Sequence, residues 1–117
     1  MTDALGIARD YFKFSNSSDL AAIKNLFTAS TTYSSPATGL YLGKDAIMAM
    51  QEKFHDSFTT LNWTVDMMSE EKSGIVRIDY DFTGKLRDGT STHSSGSEYI
   101  IVYRGKIQHI EIRPKTT

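Results

Sequence analysis

Residues 94–114, SSGSEYIIVYRGKIQHIEIRP, predict two long strands joined by a tight turn at Arg104 and Gly105. Side chains alternate between the two faces of a strand, so a buried face appears as apolar residues at every second position. In the second strand Ile110 and Ile112 share one face, and polar residues occupy the other. A hairpin this long with one apolar face needs a covering layer, which the preceding chain should provide.

The first strand of the hairpin, by the same alternation, predicts an inward face formed by Ser97, Tyr99 and Ile101. With this assignment of the inward face, every acidic residue of the predicted sheet faces outward, including Glu98. His93 has the same parity as Ser97 and would also face inward. A bulge at Gly96 would reverse that orientation, because a glycine inside a strand often marks an extra residue.

The chain before the hairpin alternates between two kinds of periodicity. Helical spacing of apolar residues predicts helices at 3–15, after an N-cap at Ser18, and at 44–58. Period-two alternation predicts strands at 31–35, 61–69 and 75–83. We therefore expect one α+β domain over residues 1–117, with an antiparallel meander formed by the last four strands.

Composition excludes several classes of function. A net charge of -1 provides no basic field, which argues against nucleic acid as a partner. The absence of cysteine excludes disulfides, thiolate nucleophiles and cysteine-ligated zinc, and the three histidines are too dispersed for a metal motif. The first residues lack the pattern of a signal peptide, and no segment has the roughly 20 apolar residues of a membrane span. We expect a cytoplasmic protein with no membrane contact, metal or cofactor.

Several local motifs, taken in order, resemble the nuclear-transport-factor-2-like superfamily, and within it the SnoaL-like and steroid-isomerase-like proteins. The motifs are Asp19-Leu20 in the second helix, Ser35-Pro36 after a strand, Gly43-Lys44-Asp45-Ala46-Ile47 at the third helix, and Tyr103-Arg104-Gly105-Lys106-Ile107 in the hairpin. The resemblance implies a cystatin-like α+β roll: a strongly curved, cone-shaped antiparallel sheet covered by three N-terminal helices around a pocket. It also implies a common tendency to form homodimers, but no single activity.

Comparison with the steroid isomerases assigns candidate roles by position. Those enzymes use an aspartate base, a tyrosine and a protonated acid, and these fall at Ser35, Tyr11 and near Tyr99. Serine is not basic enough to carry a proton, so His93 is the remaining candidate proton carrier. The alternative is that both tyrosines are core aromatics and that His93 is exposed.

The leading functional hypothesis is an apolar pocket that binds a small, mostly hydrophobic molecule with an oxygen acceptor. An enzyme of this kind would catalyse proton transfer, as in isomerisation, cyclisation or dehydration, through Tyr11, Tyr99 and His93. The expected pocket lining is Tyr33, Ser35, Trp63, Val76, Ile78, Tyr80, Ser97, Ile101, Ile110 and Ile112. The alternative is a non-catalytic dimerisation or binding module whose pocket is filled by its own side chains.

The outer face of the sheet has a mixed character in the sequence. Ile100 and Val102 are predicted to lie there beside charged residues such as Arg77 and Glu111. An apolar patch rimmed by charge is typical of a protein interface. The expected partner is a second copy of the chain.

Overall fold

A computed structural model of the chain describes residues 3–115. The predicted hairpin is confirmed as β5 (Ser91–Tyr103) and β6 (Lys106–Pro114), which are antiparallel with Ile100 opposite Ile110. Arg104 and Gly105 join them with φ angles of 53° and 74°. Two successive residues with positive φ form the type of turn whose twist matches that of the strands it connects.

The remaining elements precede this hairpin. They are α1 (Ala4–Asn16), α2 (Leu20–Lys24), β1 (Phe27–Ser35), β2 (Gly39–Leu42), α3 (Lys44–Asp56), β3 (Phe58–Lys72) and β4 (Ile75–Leu86). β2 lies in a segment predicted to be a loop, and β1 begins four residues before the predicted strand. Within residues 3–115 no helix is long and apolar enough to cross a membrane.

All six strands belong to one curved, unclosed sheet in the order β2-β1-β6-β5-β4-β3. The α+β class is confirmed, but the sheet is mixed because β1 runs parallel to β6. Thr31 joins these two strands through its buried hydroxyl, which donates to the Ile107 carbonyl oxygen at 2.6 Å. Alternation in a sequence indicates a strand but neither its neighbour nor its direction, so this pairing was not predicted.

Acidic side chains begin the first two helices. The Asp3 carboxylate accepts a hydrogen bond from the Gly6 amide, and the Asp19 carboxylate accepts one from the Ala22 amide. The predicted cap at Ser18 is therefore wrong by one residue. Ser18 has a φ of 54° and lies in the turn before the helix, and Asp19 satisfies the exposed amides of the first turn.

A β-bulge in β3 interrupts the alternation of its side chains. Trp63 lies opposite the inward Phe82 of β4, but the register shifts between Val65 and Met67. Met67 is consequently opposite Asp79 on the outer face and is exposed. Alternation along the strand predicted at 61–69 would place Trp63, Val65 and Met67 on one face, but that face ends at this bulge, because one extra residue reverses the following side chains.

The helices cover only one face of the sheet, and the core lies between them and that face. Phe82 is buried together with the predicted inward residues of β4 and β6, which are confirmed as buried: Val76, Ile78, Tyr80, Ile110 and Ile112. Ile7, Tyr11, Ile23 and Ile47 reach them from the helices. Among residues 3–115 no helix covers the opposite face, which carries ion pairs such as Arg77 with Asp79.

Candidate functional site

A cavity of about 220 Å³ lies between α1, α3 and the covered face of the sheet. Its wall is mainly aromatic. The rings that border it include Tyr11, Tyr33, Phe54, Trp63, Tyr80 and Phe82. Phe54, Trp63 and Phe82 pack against one another with ring centroids 4.7–6.1 Å apart, which gives one end of the cavity a rigid apolar wall.

The orientation of β5 brings an acid into this cavity and corrects the sequence prediction. Ile100 is fully buried opposite Val76 and Ile110, and Glu98 has the same parity two residues earlier. The register of β5 with β4 continues without a shift from Ile101 to Ser91, so Gly96 is not a bulge. Burying Ile100 therefore turns Glu98 inward, where it lies opposite Ile78 and Ile112.

Glu98 is the acidic residue of the cavity wall and is 3% exposed. Its Oε2 has no hydrogen-bond partner within residues 3–115. Removal from water disfavours the charged form of a carboxyl group, and burial raises the pKa of Glu98 to about 8. The side chain is therefore mostly protonated at neutral pH and can donate a hydrogen bond as well as accept one.

Three phenols border the same cavity as this carboxyl group. Burial and, next, the charge that Glu98 would carry raise the pKa of Tyr80 to about 12. The same two causes raise the pKa of Tyr11 well above its usual range, and burial raises that of Tyr33 strongly. All three hydroxyls stay protonated at physiological pH and remain potential donors.

Tyr11 has a defined partner in the cavity wall. The Gln51 Nε2 of α3 donates to the Tyr11 hydroxyl oxygen at 2.9 Å, and both residues are buried. Ser15 lies one turn after Tyr11 on α1 and also borders the cavity. The hydrogen bond from Gln51 and the Ser15 hydroxyl both lower the pKa of Tyr11 and partly oppose the larger effect of burial.

Six of the thirteen predicted site residues border this cavity. Those that border it are Tyr11, Tyr33, Ser35, Trp63, Tyr80 and Ile112. Val76, Ile78 and Ile110 are completely buried in the packed core instead. A role for any of them in ligand binding remains a prediction.

Four predicted residues lie on the opposite face of the sheet, and their inward orientation is wrong. Ser97 donates to Asp79 Oδ1 at 2.8 Å, and His93 Nε2 is 2.6 Å from Asp81 Oδ1. Tyr99 lies opposite Arg77 and Glu111, and Ile101 lies opposite Ile75 and His109. The cause is the buried Ile100, which places every odd-numbered residue of the strand from His93 to Ile101 outside.

Sequence reasoning missed Glu98 and Gln51, and only Gln51 left a signal in the sequence. Ile47, Gln51 and His55 recur every fourth residue, the spacing of one helix face, and all three are buried. Glu98 shares the parity of Ile100, which pairs with the inward Ile110. That pairing depends on a register shift between Ile101 and Val102, which the sequence does not reveal.

The carboxylates and histidines do not form a metal site. Within residues 3–115 no group of three such side chains is arranged to hold a metal ion. The cavity instead offers one protonated acid, several hydroxyls and an amide. These groups can orient an oxygen and exchange a proton with a guest.

Comparison with known proteins supports the fold. The sequence matches the family described as "SnoaL-like domain" over residues 8–110. An NTF2-like protein of unknown function from Exiguobacterium sp. 255-15 is similar in structure, with a TM-score of 0.83, 19% identity and coverage of 95% of this chain and 99% of that chain. No curated protein matches the sequence.

Two further solved structures carry names that suggest chemistry. A putative polyketide cyclase from Pseudomonas putida KT2440 has a TM-score of 0.81 and 13% identity, with coverage of 97% of this chain and 92% of that one. An LEH-like epoxide hydrolase from M. tuberculosis has a TM-score of 0.84 and 7% identity, with coverage of 96% and 82%. At these identities the similarity shows a common fold and no common reaction.

Proposed function

The chain belongs to the SnoaL-like domain family, and we propose that it binds a small, mostly hydrophobic molecule in the cavity beside Glu98. The ligand carries an oxygen that accepts hydrogen bonds. The observation that carries this proposal is the buried Oε2 of Glu98, which has no partner among residues 3–115 and lies in a largely aromatic wall. A buried polar group is normally satisfied, and a group that borders a cavity can be satisfied by a guest.

The volume of the cavity limits the size of this ligand. An engineered apolar cavity of about 150 Å³ accommodates benzene in another protein, and the cavity here measures about 220 Å³. The guest is then about the size of one ring with a short substituent. A four-ring steroid would require the wall to open.

Protonated Glu98 and Tyr11 supply the polar recognition. Both border the cavity, and the pKa of each is raised mainly by burial. A carbonyl oxygen can accept from both groups at once, which replaces the hydrogen bonds that it loses on leaving water. No lysine, arginine or histidine side chain borders the described cavity, so an anionic ligand would gain no compensating charge.

Proton transfer is the reaction that this arrangement favours if the protein is an enzyme. When Glu98 is ionised it no longer donates to the ligand oxygen and instead removes a proton from the carbon next to the carbonyl, while Tyr11 alone donates to the oxygen as it becomes negative. Glu98 then returns the proton to another carbon of the same molecule, which completes an isomerisation. A pKa near 8 suits this role, because a group that titrates near the working pH both accepts and releases protons.

The test compares two substitutions of Glu98 in binding titrations with a panel of small cyclic ketones. Glu98→Met removes the hydrogen-bonding group, and we expect affinity at pH 7 to fall by about tenfold, the equivalent of one good hydrogen bond. Glu98→Gln retains a donor, so affinity should stay within a few-fold but lose its pH dependence. Wild-type affinity should weaken above pH 8, since ionised Glu98 no longer donates.

Glu71→Gln is a matched control, because Glu71 is exposed on β3. Equal affinity of wild type and Glu98→Met would contradict the proposal. Failure of every ligand in the panel to bind would favour the alternative, a binding or assembly module without a small-molecule ligand. The cavity itself argues against complete filling by side chains.

We also propose that the uncovered sheet face joins two copies of the chain. Tyr99 and Ile101 lie on this face among charged groups of both signs, which include Arg77, Asp79 and Glu111. A face that carries both signs can complement itself across a two-fold axis. The expected cytoplasmic location also remains a proposal.

A further inference from the structure

Gln51 is a buried amide that is neither a helix cap nor part of a turn. It lies on the inner face of α3 and is 5% exposed. Its Nε2 lies 2.9 Å from the hydroxyl oxygen of Tyr11, a residue of α1 that is 40 positions earlier in the sequence. The contact joins two helices at the wall of the cavity, which both residues border.

The direction of this hydrogen bond determines what Tyr11 can do. An amide NH₂ group donates and cannot accept, so the oxygen of Tyr11 is the acceptor. The Ser15 hydroxyl borders the same cavity one turn further along α1. With its oxygen engaged in this way, Tyr11 has its own proton available for the cavity.

We propose that Gln51 is a positioning residue that makes Tyr11 a donor to the ligand, and that the site therefore prefers a ketone to the matched alcohol. The preference rests on the proposed binding function. A ketone oxygen only accepts, so it can take hydrogen bonds from both Tyr11 and protonated Glu98. An alcohol brings a further proton, and two donors already face it.

The experiment changes the direction of the hydrogen bond at position 51. Gln51→Glu supplies an oxygen that accepts the Tyr11 proton and turns it away from the cavity. Gln51→Leu removes the donor without replacing it. Glu52→Gln, at an exposed position on the same helix, is the matched control.

The first readout is the ratio of affinities for cyclohexanone and cyclohexanol, measured by calorimetry. We expect the wild-type and Glu52→Gln proteins to prefer the ketone. Gln51→Glu should reduce that preference about tenfold, since it costs the ketone one hydrogen bond, and Gln51→Leu should have an intermediate effect. An unchanged ratio in both Gln51 variants would overturn the proposal.

The second readout needs no ligand. The carbon-13 resonance of the Tyr11 Cζ atom responds to whether the phenol accepts or donates a hydrogen bond. We expect it to shift in one direction in Gln51→Leu and further in that direction in Gln51→Glu. A resonance that does not move in either variant would overturn the positioning role, whether or not a ketone binds.

The two readouts separate this inference from the function on which it rests. A shifted Tyr11 resonance in a protein that binds no ketone would support the positioning of Tyr11 and refute the ketone site. Ketone binding with an unchanged affinity ratio would support the ketone site and refute the role of Gln51. If Gln51→Glu does not fold, Gln51→Leu provides both measurements.

Discussion

Buried titratable side chains concentrate on the covered side of the sheet, and each has a different environment. Glu98 borders the cavity without a partner for Oε2 among the described residues, and burial raises its pKa to about 8. His55 is 8% exposed, and burial lowers its pKa. Both groups are neutral in the folded protein at pH 7. Their effects on stability nevertheless have opposite signs.

Acid should destabilise the fold through His55. The unfolded chain binds a proton at this histidine near pH 6.5, about the ordinary value, whereas the folded protein binds it only at lower pH. The unfolded state thus binds more protons within that window, and the free energy of unfolding falls as pH decreases through it. Below the pKa of His55 in the folded protein, both states bind the proton, and the free energy of unfolding no longer falls through this group.

Replacement of His55 by Phe tests this linkage. At pH 7 the variant should be less stable by about 1 kcal/mol, because the hydrogen bond between His55 Nδ1 and Ser18 Oγ is lost. Its disadvantage should shrink or reverse at pH 5, as measured by urea unfolding of both proteins. The difference between them cancels the titration of Glu98, whose raised pKa stabilises the fold as pH falls from about 8 toward its ordinary range. A difference that is the same at both pH values would contradict the account of His55.

At the scale of single residues, the comparison with steroid isomerases was informative for α1, and parity in β5 was not. Tyr11 was assigned by that comparison, and it lies in the wall of the cavity. Glu98 was predicted to face outward because Tyr99 and Ile101 were taken as the buried residues. Since β5 carries large apolar side chains on both faces near its end, alternation alone cannot select the inner one.

Among the elements, β5 and β6 organise the molecule. From His109 onward β6 alternates, with Ile110 and Ile112 buried and His109 bonded to Glu111 outside at 3.0 Å. In the structure the pairing of Ile100 with Ile110 identifies the inner face of β5. The sequence does not show this pairing, because a register shift between Ile101 and Val102 moves it by one residue from the pairing that the two-residue turn alone would set.

The uncovered sheet face leads to a prediction about assembly. Ile101→Lys places a charge at the centre of the proposed contact and leaves the cavity untouched, because Ile101 lies on the outer face. We expect wild type to sediment as a dimer and the variant as a monomer with unchanged ligand affinity. Glu52→Lys is the control, since Glu52 is exposed on α3, which packs on the other face of the sheet. A wild-type monomer at high concentration would refute the interface.

For the molecule as a whole, the sequence predicted the α+β class, the closing hairpin and the covering helices. The parallel pairing of β1 with β6 and the short strand β2 were not predicted, because long-range partners leave no local pattern. The predicted fold placed a cavity between the helices and the sheet, but it did not identify the polar side chains that line this cavity. The chemistry of the cavity depends on Glu98, whose orientation is determined by the packing of Ile100 between Val76 and Ile110.

The most direct measurement is a carbon-13 NMR titration of the Glu98 side-chain carboxyl in the full-length protein. The account predicts a midpoint near pH 8, and a higher midpoint with bound cyclohexanone, because a neutral acceptor binds the protonated acid preferentially. A midpoint near 4.5, the ordinary value for glutamate, would mean that the side chain is hydrated. It would contradict the buried acid on which the proposed site depends.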